Sequence, residues 1–356
     1  MNNFAPTLLS WFRDNGRDLP WRQTRDPYAI WLSEIILQQT RIEQGLPYWQ
    51  RFIERWPTVE ALAAATEDEV LREWQGLGYY SRARNLHTAA RQIVALGVFP
   101  TTIEGIKSLK GVGDYTAAAI GSIAFDLPVA VVDGNVYRVL SRHFGISTPI
   151  NSTEGKREFA ALAQSLLPAQ QASSFNQAMM DFGALQCTPS KPLCLQCPLQ
   201  DSCVAFLEGC VAELPVKLKT LKVAERHLTY VYIRHQGMTA IRRRPAGDIW
   251  QGLYEPLLIE NGQWTIENWA AQNNYPLSIF RSTSGRLLPQ GRKNCQLLAK
   301  QVKHVLTHRV LYADFYLWEP SELPQLPEGY FWVPESDLDR YAVPRLIEIL
   351  LTELPG

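Results

Sequence analysis

The pattern of apolar residues changes once along this chain, near residue 210. Before that point, apolar side chains recur at three- and four-residue spacing, which is the period of a helix packed along one face. After it, short runs of β-branched and aromatic residues predict strands. The sequence therefore predicts an all-α domain followed by a small α+β domain.

We predict that the helical domain spans residues 1–210. Its periodic segments are separated by Gly, Pro or polar residues and lie at 29–37, 59–74, 85–96, 116–124, 136–144 and 159–167. Residues 211–226 carry Pro215 and several lysines and predict an extended linker. The second domain, 227–356, has predicted strands at 227–234, 238–242, 253–259 and 312–318 and predicted helices at 266–273 and 343–354.

Composition narrows the class of protein. The 356 residues are enough for two domains, and 46% of them are hydrophobic. No run approaches the roughly 20 apolar residues of a membrane span, and the N-terminus lacks the pattern of a secretion signal. We therefore expect a cytoplasmic protein whose six cysteines are metal ligands or free thiols rather than disulfides.

Charge is distributed unevenly, although the net formal charge is zero. Residues 213–309 contain 15 Lys and Arg against 6 Asp and Glu, a balance of 15 − 6 = +9, whereas residues 310–356 contain 2 against 9. A basic segment of this kind is compatible with a surface that faces phosphates, and equally with an ordinary solvated surface.

Four cysteines form the strongest local motif, with the spacing Cys187-x6-Cys194-x2-Cys197-x5-Cys203. Four thiolates in so short a loop can surround one metal centre, either a [4Fe–4S] cluster or a structural zinc ion. Zinc sites usually combine two short cysteine pairs, and this loop has one, so the spacing favours iron–sulfur. The other two cysteines lie outside the motif and are expected to be ordinary thiols.

A glycine hairpin, LKGVGDYTA at 109–117, is predicted to open a helix. Gly111 and Gly113 remove side chains, so the backbone can turn tightly and approach a ligand. The N–H groups at the start of the helix would attract an anion such as a DNA phosphate. The same pattern also occurs in plain helix–helix connections.

Several motifs together resemble the adenine DNA glycosylase (MutY) branch of the helix-hairpin-helix glycosylases. They are LPWR at 19–22, WLSEIILQQT at 31–40, GLGYYSRARN at 76–85, the glycine hairpin, VDGNV at 132–136, FNQAMMD at 175–181 and the cysteine loop at 187–203. The resemblance covers nearly the whole chain. It implies a helical catalytic domain with a [4Fe–4S] cluster on the four cysteines, followed by a domain similar to the Nudix hydrolase MutT.

The resemblance also implies an activity. The family removes adenine paired with 8-oxoguanine, or with guanine, by hydrolysis of the N-glycosidic bond after base flipping, in base excision repair. The implied partner is double-stranded DNA that contains such a mispair. The implied protein is a monomer associated with the nucleoid and not with a membrane.

Two carboxylates suit this chemistry, because adenine leaves deoxyribose readily only when a ring nitrogen is protonated and the cationic sugar is stabilised. Glu34 lies on a helix with apolar neighbours, so burial should raise its pKa toward neutrality and let it donate the proton. Asp133 precedes a predicted helix, whose N-terminus should keep it ionised beside the sugar. The alternatives are an exposed helix glutamate and a plain helix cap.

Tyr115 occupies the position where lyase-competent relatives such as endonuclease III carry a lysine. A lysine amine can attack C1′ and form a Schiff base, and a phenol cannot. The resemblance thus implies a monofunctional glycosylase, with Tyr115 hydrogen-bonded near the two carboxylates. Helix packing is the alternative role of Tyr115. Tyr137 also replaces a lysine that some family members carry.

The matching positions imply two further groups of residues. One group would line the pocket that reads the flipped adenine, and consists of Trp21, Arg22, Leu37, Gln177 and Met180. The other would contact DNA, and consists of Gln38, Gln39, Tyr79, Gly111 and Gly113. Gln39 and Tyr79 would enter the base stack beside the lesion. Core packing or an ordinary surface position is the alternative for each.

The second domain lacks the hydrolase motif of the proteins it resembles. Nudix hydrolases bind metal through the box G-x5-E-x7-R-E-U-x-E-E-x-G-U, and no such box occurs between Ile241 and Asn274. The resemblance implies a module that recognises 8-oxoguanine through a Phe-Ser-His loop. Here the loop is Leu306-Thr307-His308, so the aromatic ring is replaced, while Thr307 and His308 could still hydrogen-bond the lesion strand.

Three other functions stay open at the level of sequence. A bifunctional pyrimidine-damage glycosylase of the endonuclease III type shares the helical core and cluster, but should carry a lysine at position 115. A non-catalytic DNA-damage binder would lack the carboxylates at positions 34 and 133. A Nudix pyrophosphatase would need the missing box.

Overall fold

The computed structural model describes residues 3–218, 223–259 and 295–355. Internal contacts divide the chain into two units, Met1–Ala64 with Asn85–Thr220, and Ala65–Arg84 with Leu221–Gly356. The first unit is helical and the second contains a sheet, so the predicted fold class is confirmed. The predicted helix at 266–273 lies outside the described residues.

Helices are the main regular elements of the described residues 3–218. In chain order they are α1 Phe4–Asn15, α2 Pro27–Ile36, α3 Ile42–Arg55, α4 Val59–Ala64, α5 Glu67–Glu73, α6 Ser81–Leu96, α7 Ile103–Lys107, α8 Asp114–Phe125, α9 Gly134–Phe144, α10 Thr153–Leu166, α11 Ala172–Asp181 and α12 Val204–Leu207. Short 3-10 turns lie at Pro20–Arg22, Cys194–Gln196 and Gln200–Ser202, and a π-helical turn at Phe182–Gln186 extends α11. None of the helices that the structure describes has both the length and the apolarity needed to cross a membrane.

Capping residues explain where several helices begin. The side chains of Asp26, Thr102, Asp133 and Ser152 each accept a hydrogen bond from a backbone N–H in the first turn of the helix that follows. Thr66 forms a capping box with Glu69 and starts α5, so the single helix predicted at 59–74 is in fact two helices. The other predicted helical segments coincide with α2, α6, α8, α9 and α10, each of which begins earlier than predicted.

Two apolar clusters of the first unit set the mutual positions of the helices that matter below. In one, Leu8 of α1, Phe159 of α10 and Phe175 of α11 pack together with the apolar face of α9. In the other, Ile30 of α2 packs with Ala119 and Ile123 of α8 and with Val131. The start of α9 is therefore held close to α2, α8 and α11 by buried apolar contacts.

The second unit contains a mixed sheet. Its strands are β1 Ala224–His235, β2 Met238–Arg243, β3 Tyr254–Glu255, β4 Leu257–Ile259, β5 Cys295–Val305, β6 Arg309–Trp318 and β7 Tyr330–Pro334, and helix α13 Arg345–Thr352 follows. The strand order in the described residues is β3-β2-β1-β6-β5, with β4 paired to β1 and β7 paired to β2. Strands β1 and β6 pair in parallel, and the other pairs are antiparallel.

The sequence predicted most of these strands but not all. The predicted strand 253–259 is divided into β3 and β4 at Pro256, which has no N–H to donate to a neighbouring strand. Strands β5 and β7 were not predicted, because β5 is rich in polar and half-exposed residues and β7 follows a proline-rich stretch. The predicted helix at 343–354 coincides with α13.

Residues 65–84 group with the second unit, although the predicted helical domain, 1–210, included them. The Tyr254 hydroxyl donates to Asp68 over 3.0 Å, and the Gln75 amide donates to Glu348 over 2.7 Å. Such long-range hydrogen bonds leave no signal in local patterns. Strand β1 also begins at Ala224, which lies inside the predicted linker 211–226. The sheet of the second unit therefore begins three residues before the predicted start of the second domain, 227–356.

A buried carboxylate organises the charged interior of the second unit. Glu255 is fully buried and accepts hydrogen bonds from the Tyr230 hydroxyl at 3.1 Å and from Nε of Arg242 at 2.9 Å. It also pairs with the buried guanidinium of Arg244. This charge is tolerated in the core because each of its oxygens has a donor.

We expect Glu255→Gln to lower the free energy of unfolding of the second unit by up to about 3 kcal/mol, because it leaves the buried Arg244 with Asp248 as its remaining carboxylate partner. Urea unfolding followed by hydrogen exchange of the sheet amides measures the loss. Glu319→Gln is the matched control, since Glu319 is half-exposed and lies 3.9 Å from Arg234. Equal effects of the two substitutions would contradict the assigned role of Glu255.

Candidate active site

A cavity of about 430 Å³ opens among the helices of the first unit, within the size range of ligand-binding pockets. Its wall contains all three predicted catalytic residues, Glu34, Tyr115 and Asp133. It also contains all five predicted pocket residues, Trp21, Arg22, Leu37, Gln177 and Met180. Residues from distant parts of the sequence are thus brought to one cavity.

Glu34 supplies the buried carboxyl group of this cavity. Every residue of α2 after Pro27 is buried, and Glu34 itself is only 9% exposed. Burial, with a smaller contribution from the charge of Asp133, raises the pKa of Glu34 to about 7, although a hydrogen bond from Tyr115 and the charge of Arg22 act in the opposite direction. The predicted upward shift is confirmed. A carboxyl group with this pKa holds a proton for part of the time near neutral pH.

Asp133 is another carboxyl group of the wall, which also contains Glu43, and it is the N-cap of α9. It accepts hydrogen bonds from the backbone N–H of Val136 at 2.8 Å and from Nδ2 of Asn135 at 2.7 Å. Burial raises the pKa of Asp133 above its usual value, and these hydrogen bonds only partly oppose the rise. The helix start is present as predicted, but burial outweighs the help it was expected to give to the ionised form. Asp133 thus both caps α9 and lines the cavity.

Asn176 holds the segment that leads into Asp133. Its Oδ1 accepts from the N–H of Val131 at 3.0 Å, and its Nδ2 donates to the carbonyl of Val129 at 2.8 Å and to Oγ of Ser122 at 2.9 Å. The amide is fully satisfied in a buried position, so α11 fixes the extended backbone just before Asp133. Sequence reasoning did not single out Asn176. The sequence signal for it was an asparagine between the apolar residues of α11, a position that faces the protein interior.

Tyr115 hydrogen-bonds one of these carboxyl groups, Glu34, and is influenced by the charges of both. Its hydroxyl donates to Oε2 of Glu34 at 3.0 Å and lies 3.7 Å from the sulfur of Met180. Burial, followed by the charges of Glu34 and Asp133, raises the pKa of Tyr115 well above its usual value. The phenol therefore stays protonated and donates its hydrogen bond to Glu34.

The remaining pocket residues are held by their neighbours. Trp21 is buried and packs edge-on against Trp49, with ring centroids 5.5 Å apart. Gln177 donates to Oγ of Ser173 at 3.1 Å. A polar side chain and an aromatic wall thus face the cavity, which suits the edge and the face of a base.

Arg22 lines the cavity, but its guanidinium is bound to a residue that sequence reasoning missed. Its two terminal nitrogens donate to the two carboxylate oxygens of Asp181 at 2.7 and 2.8 Å. Asp181 is completely buried. It is the last residue of the motif FNQAMMD at 175–181. An acidic residue directly after an apolar run was the sequence signal that could have indicated a buried charge.

The predicted DNA-contacting residues of the first unit lie outside the cavity wall. Gln38 and Gln39 follow the end of α2, where Gln38 donates to Oγ1 of Thr116 at 3.1 Å. Gln39 is exposed and has a φ of 56°, in the left-handed region that few side chains adopt. Strained backbone of this kind is concentrated at functional positions.

The glycine hairpin precedes α8, and its two glycines differ. Gly111 has a φ of 81°, and a Cβ there would lie 2.7 Å from Cβ of Asn85. Gly113 is extended, forms the N-cap of α8 and has open space where a Cβ would be. Conformation and packing therefore require glycine at 111, whereas neither requires it at 113.

The predicted DNA-contacting residues of the second unit lie close to one another. Tyr79 is 48% exposed with a φ of 47°, and its hydroxyl lies 2.5 Å from Oγ1 of Thr307. Thr307 and His308 form the exposed tip of the β5–β6 hairpin. Leu306 instead is partly buried and packs against the core of its own unit.

All four motif cysteines, Cys187, Cys194, Cys197 and Cys203, line one small cavity of the first unit, and none is in a disulfide. Burial and the nearby thiols raise the pKa of Cys197 to about 11. Four thiolates in this position would repel one another unless a positive centre lay between them. No three Cys, His, Asp or Glu side chains in the described ranges are close enough together to hold a single metal ion.

Arg138 connects the cysteine loop to the candidate active site. Its Nε donates to the carbonyl of Cys187 at 2.7 Å, and its NH2 group donates to Oδ1 of Asn135 at 2.8 Å. Asn135 in turn donates to Asp133. A buried guanidinium therefore links the backbone of the metal-binding loop to the side chain that orients Asp133.

Three family models match the chain. They are the HhH-GPD superfamily base excision DNA repair protein at residues 32–167, the iron-sulfur binding domain of endonuclease III at 187–203, and the NUDIX domain at 229–353. The cysteine loop therefore holds a [4Fe–4S] cluster, and the prediction of iron–sulfur is confirmed. The second unit contains the predicted Nudix-like domain.

Relatives from two strains of Buchnera aphidicola carry the name adenine DNA glycosylase. That of the subspecies Schizaphis graminum is 35% identical over 254 residues, which are 70% of this chain and 73% of the relative. That of Baizongia pistaciae is 32% identical over 316 residues, which are 87% and 84%. A solved thermostable thymine-DNA glycosylase is 32% identical, with a TM-score of 0.55, and the match covers 58% of this chain and 96% of that one.

We expect Gly111→Ala to lower the free energy of unfolding of the first unit by roughly 1 to 3 kcal/mol, because of its positive φ and the close approach of Asn85. Gly113→Ala should leave that free energy unchanged or raise it by up to about 1 kcal/mol. Thermal unfolding of both variants measures the difference. A Gly111→Ala variant as stable as Gly113→Ala would show that the hairpin adopts another conformation.

Proposed function

Because this chain belongs to the adenine DNA glycosylase family, we propose that it removes adenine paired with 8-oxoguanine or guanine from double-stranded DNA, in base excision repair. The observation that carries the proposal is the cavity whose wall contains both Glu34 and Asp133. The expected monomeric state and nucleoid-associated location stay predictions.

Glu34 is the proton donor in this proposal. Its pKa of about 7 allows it to transfer a proton to a ring nitrogen of an adenine flipped into the cavity. The electron pair of the bond between the base and C1′ then leaves with the adenine, and positive charge develops on the deoxyribose. Addition of water at C1′ and loss of a proton yield an abasic site.

Asp133 stabilises the sugar cation. Burial raises the pKa of Asp133 above its usual value, but positive charge beside it favours the ionised form. The hydrogen bonds from Val136 and Asn135 hold the carboxylate in place before the reaction, so little reorganisation is needed when the charge appears.

Tyr115 supports a monofunctional reaction. A Schiff base requires a primary amine near C1′, and no residue that lines the described cavity is a lysine. The phenol of Tyr115 hydrogen-bonds Glu34 instead. The product of the proposed reaction is an abasic site in an uncut strand.

Two exposed residues with strained backbone, Gln39 and Tyr79, are proposed to face the DNA. Gln39 and Tyr79 both have positive φ values and are exposed, which suits side chains that enter a base stack. In the second unit, Tyr79 lies beside Thr307, so a wedge residue and the proposed 8-oxoguanine loop are neighbours. The [4Fe–4S] cluster, when bound, cross-links the cysteine loop, and Arg138 of α9 donates hydrogen bonds both to the Cys187 carbonyl of that loop and to Asn135.

The test uses four duplexes that contain A opposite 8-oxoguanine, A opposite G, A opposite T, or thymine glycol. We expect strand cleavage only with the first two, and only after hot alkali, because alkali cuts the abasic site that the enzyme leaves. Glu34→Gln should bind the mispair yet excise adenine at least about 100-fold more slowly, since it has no proton to donate. Cleavage without alkali, or turnover of thymine glycol, would favour the endonuclease III type of activity.

We expect Tyr115→Phe to move the pH dependence of excision upward. The Tyr115 hydroxyl lowers the pKa of Glu34, so its loss raises that pKa above about 7 and keeps the donor protonated to higher pH. Single-turnover excision rates across neutral pH measure the midpoint. Tyr137→Phe is the matched control, because Tyr137 packs on Phe159, with ring centroids 5.2 Å apart. A midpoint that moved downward would contradict the role assigned to this hydrogen bond.

A further inference from the structure

Asp181 is a charged residue that the mechanism above does not use. It lies at the C-terminal end of α11, and its side chain is completely buried. Its carboxylate accepts hydrogen bonds from the backbone N–H and Nε of Arg17, both at 2.9 Å. It also accepts the two bonds from Arg22 at 2.7 and 2.8 Å. One carboxylate thus binds two guanidinium groups.

The buried position of Asp181 requires these partners. Burial alone would raise the pKa of Asp181, but hydrogen bonds from Arg22 and Arg17 outweigh it, and the pKa is lowered. Asp181 is therefore ionised near neutral pH. Without its charge, two guanidinium groups with side-chain exposures of 29% and 14% would face each other uncompensated.

The geometry of Arg22 connects Asp181 with Glu34. Both Arg22 and Glu34 line the cavity, yet both terminal nitrogens of Arg22 donate to Asp181, and one also donates to the carbonyl of Arg17 at 2.9 Å. The hydrogen bond to Glu34 comes from Tyr115. Asp181 therefore turns the donors of Arg22 toward α11.

We propose that Asp181 is a positioning residue for proton donation: it holds the Arg22 guanidinium against α11 and balances its charge, so that Glu34 can keep the proton it must transfer. This inference rests on the proposed function, because it concerns the acid of that reaction. It assigns to a buried ion pair a role in the pH range of catalysis.

The charged and titratable groups that act on Glu34 make the direction of the effect clear. They are Tyr115 on α8, Asp133 at the start of α9 and Arg22 before α2. Asp133 favours the protonated form of Glu34, whereas Tyr115 and Arg22 favour the ionised form. Loss of the charge that balances Arg22 would strengthen the influence of Arg22, and Glu34 would lose its proton at lower pH.

The test is the pH profile of single-turnover adenine excision by the cluster-containing enzyme with Asp181→Asn. We expect the midpoint of the fall in rate with rising pH to move down by about one pH unit or more. Above the midpoint this is a loss of about tenfold or more relative to the unsubstituted protein. Asp18→Asn is the matched control, because Asp18 is exposed, follows Arg17 directly in the chain, and loses the same negative charge. Its midpoint should stay unchanged.

A purely structural role predicts a different result. It would lower the rate by the same factor at every pH and leave the midpoint in place, and that outcome would overturn the proposal. Asp181→Glu retains the charge at the cost of similar disturbance to the packing, so its midpoint should resemble that of the unsubstituted protein. A downward shift in Asp181→Glu as large as in Asp181→Asn would also overturn it.

A second variant covers the case in which Asp181→Asn does not fold. Arg17→Gln combined with Asp181→Asn removes the repulsion between the two guanidinium groups but still leaves Arg22 without its counter-ion, so the same downward shift is expected. The proposed function is judged separately, by the unsubstituted protein. If that protein releases no adenine, the proposed function fails; if it does and the variants keep its midpoint, only the role of Asp181 fails.

Discussion

Two carboxyl groups, Glu34 and Asp133, line a single cavity, and most of the first unit can be understood as a means of holding them there. Removing a carboxylate from water costs free energy, and two such groups in one cavity raise each other's pKa. Burial of Glu34 on an apolar helix raises its pKa to about 7, which suits the proposed proton donor. Asp133 instead receives hydrogen bonds from the start of α9, which partly oppose the effect of burial.

Buried polar side chains around the cavity supply this support. Asn176 fixes the backbone before Asp133, Arg138 connects Asn135 with the cysteine loop, and Asp181 binds Arg22. Each of these groups makes several hydrogen bonds in the protein interior, where an unsatisfied polar group would be costly. The cysteine loop and the candidate active site are thus joined through Arg138 and Asn135.

The second unit combines a Nudix-like sheet with residues 65–84, which precede it by far in the sequence. The hairpin tip at Thr307 and the strained, exposed Tyr79 meet in this unit. The sequence pattern placed them in separate predicted domains, because a hydrogen bond between residues more than two hundred positions apart has no local signature. The buried carboxylate of Glu255 pairs with Arg242 and Arg244 and so balances their charge inside this unit.

Local sequence determined the approximate positions of several helices, the strands with strong β-branched patterns, the cysteine loop and the candidate residues Glu34, Asp133 and Tyr115, since spacing and motifs are properties of neighbouring residues. It also determined that Glu34 would have apolar neighbours, and hence the direction of its pKa shift. Only the tertiary structure decided that Asp181 holds Arg22, that Asn176 fixes the approach to Asp133, that burial outweighs the cap at Asp133, and that Leu306 packs inward. These outcomes depend on which buried groups meet across long separations in the chain, and burial and hydrogen bonding act through space rather than along the sequence.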